Sequence, residues 1–232
     1  MVGVFRAADI DFGTPNLGAV DRFLRGEELT EEELGDVDSF RKNCIKYVSI
    51  LTKPSPHTDF FTDFQRYLMP QYNDLFKEKL KDQKIIEIGP AINPIYNTLR
   101  ENYSIASYVA VEPFCMGMTK GSLNHSIKED DFARVEAEET DGLSYLLTQP
   151  DESAITMSFG VLNRELVKGS VDVTEFYYRF LAKEIHRVTP QDGISIHLYN
   201  ECGLISVDKV FERVGFQVEK TRSTNGIIAH KN

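Results

Sequence analysis

Cysteine is scarce in this chain: Cys44, Cys115 and Cys202 are the only three in 232 residues. Scattered and odd in number, they exclude a disulfide framework, and no CxxC or Cys/His spacing fits a zinc site. The five histidines, His57, His125, His186, His197 and His230, are equally dispersed, and no pair has the helical spacing of metal ligands. No metal is expected. Long apolar runs are missing, so no segment is expected to span a bilayer, and Met1 to Ile10 has neither the basic nor the apolar stretch of a secretory leader. Reduced thiols and a cytoplasmic location are the resulting expectation. Runs of lysine and arginine are also absent, and the net charge is -10. A field of that sign repels polyanions, so neither nucleic acid nor an anionic membrane is an expected partner. A small or cationic ligand stays open, as does the plain reading that the charge only keeps the protein dissolved.

What is present has ordinary globular proportions, 41% apolar and 27% charged residues. The length suits one large domain, or a core with a helical extension. No internal repeat or low-complexity linker interrupts it. The pattern divides near Lys81 to Lys84, which makes residues 1–80 a helical N-terminal extension or lid and residues 81–232 the core. In the first part, Thr30 followed by Glu33 reads as a capping box opening a short helix with an acidic first turn. Ile45, Val48 and Leu51 share one helical face before Pro54 and Pro56 interrupt it. Phe64, Tyr67 and Leu68 form a similar stripe ending near Pro70, and a further helix covers Gln71 to Leu80.

From Lys84 onward, short apolar runs alternate with helices, as in repeated βαβ units. The spacing predicts strands at Lys84 to Ile88, Ser107 to Glu112, Ala133 to Ala137, Ala154 to Phe159 and Gly193 to Tyr199. Tyr177, Leu181, Ile185 and Val188 mark a helix ended by Pro190 and Gly193, and Val207, Val210, Phe211 and Val214 mark another. Two last runs, Phe216 to Thr221 and Ile227 to His230, are joined by a turn containing Asn225 and Gly226 and read as an antiparallel hairpin. The expected fold is α/β: a doubly wound, mainly parallel sheet of seven strands with one antiparallel strand near the C-terminus.

The strongest local feature is Ile85-Ile86-Glu87-Ile88-Gly89-Pro90-Ala91-Ile92-Asn93-Pro94, a buried strand breaking into a tight turn and then a helix. Glycine permits unusual dihedrals and close backbone approach, and a helix N-terminus offers free N–H groups to a carboxylate. Asn93 is placed to cap that helix and Pro94 to take its first position. This stretch resembles the first motif of the class I S-adenosylmethionine (SAM)-dependent methyltransferases, in which an acid at or near the strand end precedes a glycine-rich turn beneath the methionine part of the cofactor. The resemblance assigns Glu87, Gly89, Pro90, Ala91 and Asn93 to SAM. Ala91 and Asn93 stand where further glycines are usual, although alanine is small and asparagine tolerates left-handed dihedrals. A plain strand-to-helix connection is the alternative.

The rest of the resemblance, carried by order and spacing over Lys84 to Lys231, names further positions. In Tyr108-Val109-Ala110-Val111-Glu112-Pro113, Glu112 would accept hydrogen bonds from both ribose hydroxyls, with Pro113 beside it. A solvated acid at a strand end is the other reading. An acid there also suits the ribose of NAD, but a GxGxxG turn starting at Gly89 would need glycines at Ala91 and Pro94. In Arg134-Val135-Glu136-Ala137-Glu138-Glu139, Glu138 would address the adenine amino group, with Glu139, Asp141 or a plain acidic helix start as competitors. Ser158, Phe159 and Gly160 would face the transferred methyl group, Phe159 being equally a core residue. His197, Tyr199, Asn200 and Glu201 either border a substrate pocket or are structural. The function implied is methyl transfer from SAM to a small molecule. The alternatives are an inactive methyltransferase-like binding or scaffold protein and, behind it, an NAD-dependent oxidoreductase.

Overall fold

Near-continuous apolar strands need cover on both faces, and the chain supplies a helical layer for each. The computed structural model describes residues 15–51, 60–90, 94–113, 116–126, 134–161, 171–199, 206–222 and 224–232. Among them the strands are β1 (Lys84–Ile88), β2 (Ser107–Val111), β3 (Val135–Glu138), β4 (Ile155–Phe159), β5 (Ile194–Leu198), β6 (Gln217–Lys220) and β7 (Gly226–His230). They form one seven-stranded sheet in the order β3-β2-β1-β4-β5-β7-β6. The first five are parallel, and β7 is antiparallel to both β5 and β6. The expected hairpin is therefore present, with its second strand inserted into the sheet. Each predicted strand falls within two residues of its observed place, except that Ala133 lies outside the described residues.

Alternation divides the sheet between two apolar layers. Ile86 and Ile88 of β1, with Val109 and Val111 of β2, face α1 (Leu17–Arg25), α2 (Glu31–Leu51), α7 (Gly142–Leu147), α8 (Val171–Val188) and α9 (Val207–Arg213). Ile85, Tyr108, Ala110 and Met157 face the opposite layer. That layer holds the turn Phe64–Leu68, which continues α3 (Phe60–Asp63), together with α4 (Met69–Lys79), α5 (Tyr96–Tyr103) and α6 (Met116–Ser126). The helices before β1 thus cover both faces of the sheet.

Three helical expectations need correction. The capping box exists, with Thr30 N–H on Glu33 Oε2 at 3.0 Å and Glu33 N–H on Thr30 Oγ1 at 3.3 Å. It opens one helix of 21 residues, not a short one, and the Ile45 stripe is that helix continued. Its burial against α8, with Phe40 edge-on to Phe176 at 5.3 Å, carries the chain past a weakly periodic middle. Pro54 and Pro56 lie outside the described residues. Pro70 stands in the first turn of α4, and the helix kinks two residues later at Tyr72 (φ -117°, ψ 18°), so the expected interruption near Pro70 is present. Ahead of it, residues Phe64–Leu68 form a widened, π-helical turn, in which the N–H of Met69 reaches back five residues to the carbonyl of Phe64. Widening moves Tyr67 out of the stripe, 43% exposed, while Phe64 and Leu68 stay fully buried. Truncating Phe64 to Ala is expected to cost about 3–5 kcal/mol, and truncating Tyr67 to Ala within about 0.5 kcal/mol, read from urea unfolding. Similar losses for both would contradict this register.

Candidate functional site

Five strand ends line one rim, joined by backbone bonds. Gly89 follows β1 with φ 68° and donates its N–H to Val111 O at 2.8 Å. Glu112 follows β2 and donates to Glu138 O, at the end of β3, at 3.0 Å. Gly160 follows β4 with φ 84° and donates to Leu198 O, at the end of β5, at 2.8 Å. Both glycines hold the left-handed conformation that side chains disfavour. Parallel pairing puts these carboxyl ends on one edge, where open α/β sheets bind ligands. Gly89 and Glu112 are accordingly neighbours on that edge.

Glu87, two residues before Gly89, faces the layer of α4 to α6 and is 1% exposed. Its Oε2 accepts the Ile95 N–H at 3.0 Å and the Tyr108 hydroxyl, while Oε1 is buried without a partner. Burial drives its carboxyl up to about 7, against the pull of those two bonds and with some help from the charge of Glu112. The same carboxylate replaces the expected helix cap. The N-cap of α5 is Ile95 and has no side-chain cap, so Pro94 precedes the helix and is not its first residue. Glu87 reaches across from β1 to that N-cap amide. Asn93 and Ala91 lie outside the described residues.

Glu112 is 4% exposed, which removes the reading of a solvated strand-end acid. Pro113 beside it is half-buried and Pro90 is buried. Glu138 closes β3 and is exposed, as is Glu139. Asp141 is the N-cap of α7, its Oδ1 accepting the Ser144 N–H at 3.0 Å, so the acidic helix start belongs to Asp141. Ser158 turns its hydroxyl into the other layer, 2.7 Å from His197 Nδ1. What Ser158 presents to the rim is backbone. Burial pushes His197 down to about 3, its Nε2 has no partner, and its ring lies 4.7 Å from that of Phe211. A serine and histidine this deep are packing, not a nucleophile with its base. Phe159 packs on Phe64 at 5.4 Å, in the core sense, and Tyr199 is buried with its N–H on Asn225 O at 2.9 Å. Asn200 and Glu201 lie outside the described residues. Among the described residues no group of His, Cys, Asp and Glu is placed to hold a metal ion, and no helix is long and apolar enough to cross a membrane.

Sequence reasoning missed the contacts of four side chains that shape the rim. Tyr108 supplies the donor to Glu87 from the neighbouring strand; with Ile85 opposite Tyr108 and Glu87 opposite Ala110, the two share a face, a relation readable once β1 and β2 are paired. Val161, after β4, sits against Gly89 so closely that a Cβ there would lie 2.3 Å from its Cγ2. Tyr178 on α8 donates its hydroxyl to Val161 O at 3.2 Å, while the adjacent Tyr177 reaches Asp141 Oδ1 at 3.4 Å. No linear pattern marks the contacts of Val161, Tyr177 and Tyr178, since each depends on how α8 crosses the sheet.

Two measurements probe this geometry. Gly89→Ala is expected to carry the left-handed strain of about 1–2 kcal/mol plus the overlap with Val161. Adding Val161→Ala relieves only the overlap, so the double variant melts higher than the two single losses summed; simple additivity would separate the two residues. His197 has a lower pKa folded than unfolded, so its neutral form is favoured by folding. Stability is lost as pH falls from about 6.5 toward about 3, at about 1.4 kcal/mol per pH unit. Glu87 works oppositely, its stabilisation complete below about 4.5 and lost as pH rises through about 7. The two offset between about 4.5 and 6.5, and below about 4.5 His197 is the one of the pair that still changes. A Ser158→Ala/His197→Phe double variant is expected to lose stability less steeply there, measured by urea unfolding across the pH series.

No family model and no curated protein matches the sequence. Solved structures do match. A SAM-dependent methyltransferase from Aquifex aeolicus superposes with a TM-score of 0.52 at 12% identity, over 81% of this chain and 98% of that one. A putative sarcosine dimethylglycine methyltransferase from Galdieria sulphuraria gives 0.49 at 9% identity, over 66% of this chain and 60% of that one. The [4+2]-cyclase SpnF gives 0.48 at 14% identity, over 67% of this chain and 60% of its own length. An all-parallel dinucleotide-binding sheet has no counterpart to the inserted β7. Strand order, that inserted strand and the Aquifex superposition together establish that the chain has the class I SAM-dependent methyltransferase fold.

Proposed function

We propose that the chain binds SAM along the rim of β1 to β4 and directs its methyl group to a nucleophile on a small molecule. The observation that carries this reading is the pairing of Gly89 with Glu112: a left-handed glycine bonded to Val111, with a buried carboxylate following directly. Two carboxylate oxygens on Glu112 suit the two ribose hydroxyls. Gly89 and Pro90, with Ala91 and Asn93, are assigned to the methionine part, and the unpartnered Oε1 of Glu87 behind them fits a ligand bearing positive charge. Glu138 is assigned to the adenine amino group, with Glu139 its neighbour. Pro113 and the backbone of Ser158, Phe159 and Gly160 complete the rim. SAM supplies an electrophilic methyl on a sulfonium that already leaves readily. The protein's own task is then to align the two reactants and exclude water. Phe64 against Phe159 ties residues 60–80 to the end of β4, which supports a lid role for the helical extension. The net charge of -10 and the lack of basic runs favour a small acceptor over nucleic acid or membrane.

A second reading is favoured by one contact. Val161 occupies the space a side chain at Gly89 would need, as in a methyltransferase-like binding or scaffold protein that no longer takes the cofactor. Calorimetric titration of the pure chain with SAM, with NAD as the control ligand, separates the two. The expected result is one SAM per chain, no NAD binding, and affinity about 10–100-fold weaker in Glu112→Gln, the range for a charged hydrogen bond lost. Folded protein that binds no SAM would favour the scaffold.

A further inference from the structure

Glu87 has two oxygens and partners for only one of them. The Ile95 amide and the Tyr108 hydroxyl both bond Oε2, and Oε1 is sealed from water. An ionised carboxylate with a bare buried oxygen is strongly disfavoured, and a proton on that oxygen removes the charge. The two bonds to Oε2 favour the ionised form, and burial outweighs them. The register neighbours of Glu87 are Ala110 on β2 and Met157 on β4, both apolar. From α5 come the Ile95 amide and Tyr96, whose ring lies 5.4 Å from that of Tyr108. Among the described residues, Tyr108 and Glu112 are the titratable groups that act on the carboxyl, and the charge of Glu112 resists a second negative charge beside it.

We propose that Glu87 carries a proton in the free protein and gives it up when a cationic ligand settles beside Gly89, so that ligand binding and proton release are one equilibrium. The inference rests on the reading of the rim as a SAM site. SAM is such a ligand, since its sulfonium and ammonium outweigh its one carboxylate. The O–H bond at Oε1 breaks, the proton passes to the buffer, and the electron pair stays on the carboxylate, whose charge then faces the ligand's. Glu87 thereby becomes a specificity determinant, selecting ligands by charge from behind the turn. Affinity rises with pH up to about 7 and levels off above it, a change of about tenfold between roughly pH 6 and pH 8.

The test is calorimetry of the full chain with SAM across that range, in pairs of buffers of different ionisation enthalpy, beside Glu87→Gln. The wild type is expected to release most of one proton per SAM near pH 6 and almost none near pH 8, and the variant less by that amount. The ligand's own amine titrates alike with both proteins, so the difference belongs to Glu87. Equal proton counts with SAM bound would overturn the inference and leave the SAM site standing; no SAM binding at all would overturn both. Should the variant fail to fold, infrared difference spectra of the wild type decide. Loss of a protonated-carboxyl C=O band on adding SAM supports the proposal, and an unchanged band defeats it.

Discussion

A carboxyl group held inside an apolar layer sets the terms for the rest of the rim. Glu87 interrupts a run of apolar residues on β1, and the chain answers with the Tyr108 hydroxyl from β2 and the Ile95 amide from the start of α5. Those two bonds converge on one atom, so the end of β1, the beginning of β2 and the N-terminus of α5 are fixed relative to one another. Gly89 then leaves the strand in a left-handed turn, bonded to Val111, and Glu112 emerges beside it. The neighbourhood of Gly89 and Glu112 follows from the parallel pairing of β1 with β2, to which the two bonds on Glu87 Oε2 add a tie.

The other face of the sheet repeats the device with a base. His197 lies under Phe211 with Ser158 on its Nδ1, and burial keeps it neutral. Thr156 and Ser195 also present buried hydroxyls without partners. A buried carboxyl therefore sits in one layer and a buried imidazole in the other, and burial disfavours the charged form of both. Their opposite signs mean that acid and alkaline conditions stress different faces of the same sheet. A polar patch on β4 and β5 beneath α8 and α9 also lets Ser158 hold the end of β4 from below while its backbone stays at the rim.

The sheet was legible because its signals are local. Runs such as Ile85 to Ile88 and Val109 to Val111 read as strands wherever they occur, and the Asn225-Gly226 turn announced β7. The N-terminal helices were harder. The spacing of Tyr67 obeys a π-helical turn that the ordinary period of 3.6 misreads, and α2 runs through its middle by packing on α8. At the site, Gly89 and Glu112 were found by their order along the chain. Roles set by which face a side chain takes were not: Ser158 was expected at the rim and its hydroxyl lies in the core, and Asn93 was expected to cap a helix that Glu87 reaches instead. Distance in sequence explains the difference, since Glu87 and Ile95 meet only after the turn between them has folded.

Charge distribution carries the argument one step further. Several arginines and lysines among the described residues are engaged in ion pairs: Arg179 with Asp21 between α8 and α1, Arg187 with Glu184 and Asp151, Lys231 with Glu152, and Lys220 with Asp208. Glu112, Glu138, Glu139 and Asp141 cluster at the ends of β2 and β3, on a chain whose net charge is already -10. A cleft of one sign concentrates ligands of the other. Glu112 is the buried member, where a charge acts through a lower dielectric than its exposed neighbours feel, so in the proposed site it would orient the ligand while they attract it. A second ionised carboxylate at Glu87 would add to that field at the expense of the fold. Keeping it protonated until a cation is present lets one sequence satisfy both demands.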